Sequence, residues 1–128
     1  MNRRPSSTVT HFDPQQETWT RENCGIAELF NEAHERGCSI ARARVKPGDG
    51  TELHALTGTS EWYVIVAGEG EAEVDGRRER VGPFDVVHIR PGSAQRIRNV
   101  GAGELLFLCV CLPAFAPECY AALEAQRP

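Results

Sequence analysis

The sequence has no apolar run near the ~18 residues that a membrane-spanning helix needs. Its first residues, MNRRPSSTVTHF, carry two arginines but no apolar stretch behind them, so a secretory signal is not expected there. Lysines and arginines are neither clustered nor in excess: 14 stand against 18 acidic residues, for a net charge of −4. That balance excludes the broad basic footprint of a nucleic-acid binder. The five cysteines (Cys24, Cys38, Cys109, Cys111 and Cys119) are odd in number and lack framework spacing, which argues against a disulfide scaffold. Free thiols in a chain this size suit a reducing, cytoplasmic setting. Helical periodicity is scarce, and there is no internal repeat or low-complexity segment.

What remains is β grammar. The 128 residues suffice for one hydrophobic core. Residues 1–20 are polar and read as an N-terminal arm, partly disordered or laid against a partner subunit. Residues 21–128 read as a single domain. The segment 31–37 reads as one helical turn or a polar loop. Ser39–Val45 alternates strictly, with Ala41, Ala43 and Val45 on one face and Ile40, Arg42 and Arg44 on the other. Thr51–Leu56, Trp62–Ala67, Glu71–Asp75, Arg77–Val81, Asp85–Arg90, Ala94–Asn99 and Leu105–Leu112 follow as strands between Gly/Pro turns. Asp75-Gly76 is the dipeptide favoured by type I′ hairpin turns. Tyr120–Gln126 reads as a short C-terminal helix. Many short strands and almost no helix predict an all-β sandwich or barrel.

The organising stretch is Gly48–Gly70. It places His54 and Glu61 on two neighbouring strands joined by a tight connection. Gly48, His54, Glu61 and Gly68 match the spacing G-x5-H-x-H-x3,4-E-x6-G, and Gly82, Pro91-Gly92 and Asn99 follow a second motif, G-x5-P-x-G-x2-H-x3-N, with a longer spacing between Gly82 and Pro91. In these residues, over about 38–112, the chain resembles the small single-domain cupin family. The resemblance implies a double-stranded β-helix, or jelly-roll barrel, usually in a homodimer to which the N-terminal arm or first strand would contribute.

The resemblance also implies a site inside the barrel. In the family, three histidines and a glutamate converge on a divalent metal. Carried over, the first histidine is His54, the second falls on Leu56, the glutamate is Glu61 and the third histidine falls on Gln95. Imidazole is a strong donor, carboxylate a hard one, primary amide a weak one, and leucine donates nothing. A set of His54, Glu61 and Gln95 leaves two readings open: a weakly held Zn, Fe, Ni or Mn, and no metal. Without metal, His54 and Glu61 suit general acid/base work. Cyclase-, isomerase- or lyase-like chemistry on a small carbonyl compound would follow. The alternative is a non-catalytic pocket for a small ligand.

Strand parity adds candidates. If Glu61 faces inward, Tyr63 and Ile65 do too, and Tyr63 becomes either a catalytic phenol or a core aromatic. If Gln95 faces inward, so does Asn99, which is expected to cap the following turn. His88 would be a replacement ligand only if its strand turned it inward. Arg42 and Arg44 are expected on the outer face; turned inward they would bind a carboxylate or phosphate. Arg96 and Arg98 are expected to point outward. Cys109 and Cys111 share one strand face and are read as core packing.

Overall fold

A computed structural model of the chain describes residues 8–20 and 24–123. The first residues of the expected arm, and 124–126 of the expected helix, lie outside that range. The strands are β1 Thr18–Trp19, β2 Gly25–Glu32, β3 Glu35–Val45, β4 His54–Leu56, β5 Ser60–Ala67, β6 Gly70–Val74, β7 Arg77–Val81, β8 Val86–Ile89, β9 Gln95–Asn99, β10 Leu105–Leu112 and β11 Tyr120–Ala122. They form a six-stranded sheet in the order β1-β2-β3-β10-β5-β8 and a five-stranded sheet in the order β11-β4-β9-β6-β7. The described strand pairs are antiparallel. The result is the jelly-roll barrel that the motifs imply.

Alternation explains the layering. Ile65, Phe107, Leu105, Ile97 and Val45 are inward-facing residues with almost no exposed surface, and they fill the space between the sheets. Each such side chain contributes ~1.5–3 kcal/mol by leaving water. The β6–β7 hairpin turns at Asp75 and Gly76, with φ of 50° and 85°, the two positive values that a type I′ turn demands. Gly68, at φ 89°, lets the chain pass the main chain of residue 104; a Cβ there would stand 2.5 Å from the Glu104 carbonyl oxygen.

Three local readings are corrected. Residues 31–37 are neither a helical turn nor a loop: β2 and β3 run through them and meet at a tight turn on Ala33-His34. The C-terminal segment holds only a 3-10 turn, Pro117–Cys119. Tyr120–Ala122 is a strand, because β4 offers it a free edge to pair with. His54 and Glu61 sit on consecutive strands that are not partners: β4 belongs to one sheet and β5 to the other, so the two residues approach from opposite walls.

The described part of the arm lies on the outer face of its own β3. Glu17 accepts two bonds from Arg44, at 2.9 Å and 2.5 Å, and one from Arg42 at 3.4 Å. The Arg42 guanidinium lies 4.5 Å above the Phe12 ring, and Arg44 lies 5.2 Å above Trp19. Both arginines are therefore committed outside the barrel, as the alternation of β3 predicts.

Candidate functional site

One cavity of about 200 Å3 lies between the sheets at one end of the barrel. It exists because the neighbouring strands β3 and β10 turn small side chains toward it. Ala41 is paired with Cys109 and Ser39 with Cys111 across β3 and β10, and all four line the space. Larger residues there would have closed it, as Ile65 and Leu105 close the other end.

His54, Glu61, Tyr63 and Leu56 all line this cavity. His54 is 6% exposed and its Nδ1 lies 2.8 Å from the main-chain oxygen of Glu52. A carbonyl oxygen only accepts, so Nδ1 carries the proton in the neutral ring and Nε2 becomes the proton acceptor. The ring stacks on Tyr120 with centroids 4.8 Å apart. The Tyr120 hydroxyl in turn donates to Glu52 Oε2 at 2.5 Å, closing a brace around the histidine. The strand β11, paired with β4, is what brings Tyr120 there.

Glu61 comes from the opposite wall, buried at 7% exposure. Its neighbours on β10 are thiols. Burial, and then the charge and hydrogen bond of Glu61, hold the Cys109 thiol well above the ordinary range. Burial first, and then the Glu61 charge, push the Cys111 thiol up to about 12. Both cysteines are neutral at physiological pH. Reading them as core packing missed that they border a cavity. A sequence signal existed in the small inward residues of β3 facing the pair.

Tyr63 lines the cavity with its ring, but its hydroxyl donates to Oε1 of Gln95. Gln95 has no exposed surface and lies behind Tyr63 rather than on the cavity wall. His88 faces outward and stacks on Trp62 at 4.7 Å, so it is no replacement ligand. Asn99 caps the turn as expected, donating to the oxygens of Val45 and Gly103 and accepting from the Gly101 N–H. Arg96 and Arg98 lie on the outer face beside Glu73 and Glu71.

These residues do not fit the metal centre that the fold family implies. Leu56 supplies no donor, and the one amide oxygen of the set already accepts from Tyr63. His54 Nε2 and the Glu61 carboxylate are left, fewer than the three protein ligands of an ordinary catalytic site. Among the described residues, no group of three or more His, Cys, Asp or Glu side chains is arranged to hold an ion.

Comparison with known proteins agrees with the architecture. The cupin domain profile matches residues 41–111. An uncharacterised protein of Methanocaldococcus jannaschii is 30% identical over 111 residues, covering 85% of this chain and 89% of that protein. An oxalate-binding protein of Thermotoga maritima is 32% identical over 79 residues, covering 62% of this chain and 65% of that protein. Among solved structures, Pac13 of Streptomyces, described as a nucleoside dehydratase, superposes with a TM-score of 0.72 at 14% identity, over 94% of this chain and 99% of that one. At that identity the likeness concerns the fold. Motif spacing, sheet order and profile match converge on one conclusion: the chain belongs to the cupin family.

Proposed function

We propose that the barrel cavity is the site of a small-molecule enzyme working by acid/base chemistry, with His54 as the proton-transferring group. The observation that carries this reading is the tautomer lock. The Glu52 carbonyl fixes the proton on Nδ1, and the Tyr120 stack fixes the ring, so Nε2 of this buried histidine stands ready to accept a proton. Glu61 supplies a carboxylate on the opposite wall. Tyr63 acts as a positioning residue, because its hydroxyl is committed to Gln95. The reactions that suit this set are proton abstraction beside a carbonyl and the isomerisation, cyclisation or elimination that follows.

The test is solvent deuterium uptake. A panel of small α- and β-hydroxycarbonyl compounds is incubated with the protein in D2O and followed by proton NMR. Exchange at the carbon beside the carbonyl should exceed the buffer rate, and His54→Ala should lower it by roughly 10²–10⁴-fold. Exchange that survives His54→Ala unchanged would remove His54 from the chemistry.

A second reading, a ligand pocket without turnover, is favoured by the walls. Leu56, Phe107 and Phe115 make much of the lining apolar, and the two thiols beside Glu61 are held neutral. Under that reading compounds bind but do not exchange, and His54→Ala changes only affinity.

A further inference from the structure

The oxalate-binding relative invites the expectation of a small dianion in the cavity. The charges around the cavity argue the opposite. Two carboxylates line it, Glu61 deep inside and the exposed Glu28 toward solvent. Among the described residues, no lysine or arginine lines it. Arg42 and Arg44 of β3 are held outside the barrel by Glu17. Arg36 bonds two residues of the lining, Asn31 and Phe115, without lining the cavity itself, and its donors are directed at their oxygens and at the Glu32 oxygen. Nη1 donates to Asn31 Oδ1 at 2.6 Å and to the Glu32 oxygen at 2.9 Å, and Nη2 to the Phe115 oxygen at 3.3 Å.

The other walls are aromatic and apolar. Tyr120 stacks on His54, Phe107 packs at a tilt on Tyr63 with centroids 4.9 Å apart, and Phe115 stands beside them in the lining. Ring faces attract cations and flat apolar bodies alike. The volume, about 200 Å3, lies below the ~300–1,000 Å3 of most ligand pockets, so the guest is small.

We propose that this cavity takes a small flat molecule bearing a protonated nitrogen, an amidine or a protonated aza-aromatic, with the nitrogen at Glu61 and the ring among the aromatic side chains. The inference rests on the reading of the cavity as a ligand site and adds the charge that the ligand carries. Oxalate and other small carboxylates are excluded by the same charges.

An isosteric series tests it on the wild-type protein: benzamidine, benzamide and benzoate, with oxalate added, each titrated to about 10 mM and followed by NMR shifts of His54 and Phe107. Benzamidine should bind at least about tenfold more tightly than benzamide, and benzoate and oxalate should not bind. Glu61→Gln should erase the preference for benzamidine over benzamide. Glu28→Gln, which changes an exposed side chain, should reduce it severalfold, and this second variant keeps the test usable if the buried change prevents folding. Equal binding of benzamidine and benzamide, or tighter binding of benzoate or oxalate, would overturn the charge assignment while leaving the ligand cavity intact. Binding of none of the four would overturn the cavity reading itself.

Discussion

The hydroxyl of Tyr63 donates to Oε1 of Gln95, joining β5 of one sheet to β9 of the other across the barrel interior. Gln95 stands where the second cupin motif has its histidine. The amide that would be a poor metal ligand has become the acceptor of a structural bond. Gln95 Nε2 is buried and finds no protein partner among the described residues, so the bond from Tyr63 is the one that stabilises this side chain. Tyr63→Phe should destabilise the fold by about 1–3 kcal/mol, the penalty for stranding a buried acceptor. The double change Tyr63→Phe with Gln95→Leu removes both polar groups and should recover most of that loss. Urea unfolding of the four proteins checks it. A double variant as unstable as the sum of the singles would mean that the two residues act independently.

Restoring the missing donors should restore metal binding. Leu56 and Gln95 occupy the two lost histidine positions, and Leu56 lines the same cavity as His54 and Glu61. Leu56→His together with Gln95→His supplies three imidazoles and a carboxylate, a donor set that suits Zn²⁺, Fe²⁺ or Mn²⁺. The double variant should take up about one equivalent of Zn²⁺ after chelator treatment and gain thermal stability with metal, as binding linkage requires. Wild-type protein should show neither change. A stoichiometric, stabilising Zn²⁺ on the wild type would contradict the donor-set argument.

How far the sequence disclosed this site depends on what kind of signal each residue leaves. The inward direction of His54, Glu61 and Gln95 was legible because motif spacing fixes strand register, and register fixes which wall a side chain faces, but spacing does not tell that Gln95 stands behind Tyr63 and off the cavity wall. Tyr120 was not legible. Its segment is short and mildly helical in composition, and only the open edge of β4 makes it a strand. The cavity was not legible either. Alternation tells inside from outside, but an inward alanine or cysteine reads alike beside a filled core and beside an empty space. Phe84 was invisible for a different reason, since nothing in a phenylalanine announces a left-handed backbone.

That residue supports its own prediction. Phe84 has φ 70° and is 83% exposed, so the fold carries the strain of a side chain in a glycine-like conformation and gains almost no burial from it. The left-handed region costs most L-residues about 1–2 kcal/mol, and asparagine tolerates it. Phe84→Asn should therefore leave the protein as stable or raise its stability by up to about 1 kcal/mol. The usual Phe→polar change in a barrel destabilises. A loss of more than about 1 kcal/mol on denaturant unfolding would mean that the exposed ring makes a contact worth more than the strain.

The lining thiols should be slow to alkylate. With Cys111 pushed up to about 12, its thiolate fraction at pH 8 is about a thousandfold below that of an ordinary thiol. The greater nucleophilicity of a more basic thiolate recovers part of this, leaving a suppression of roughly thirty- to sixtyfold. Iodoacetamide labelling read by peptide mass spectrometry should find Cys111 and Cys109 among the slow sites. Glu61→Gln should speed both, because it removes the second-largest cause of the shift, while burial keeps them slower than a free thiol. Unchanged rates in Glu61→Gln would dissociate the carboxylate from the thiols.

Glu17 should make the arm acid-sensitive. Its carboxylate is gripped by the Arg44 fork and by Arg42, and Gly25 leaves it room, since a Cβ there would lie 2.7 Å from Glu17 Oε2. The bond from Arg44, foremost, holds the Glu17 carboxyl below its ordinary value against a smaller opposing effect of burial. A carboxylate whose folded pKa is depressed stabilises the fold fully above its unfolded pKa, ~4.3, and loses that contribution as pH falls through the folded value. The wild type should therefore melt about 2–5 °C above Glu17→Gln between pH 5 and 7, a modest difference because these groups are partly solvated. As pH falls below ~4.3 and on through the depressed folded value, the two melting curves should converge. High salt should narrow the gap at neutral pH as well. A gap that widens in acid would reverse the sign of the linkage and show that the arm is held by Phe12 and Trp19 rather than by the ion pairs.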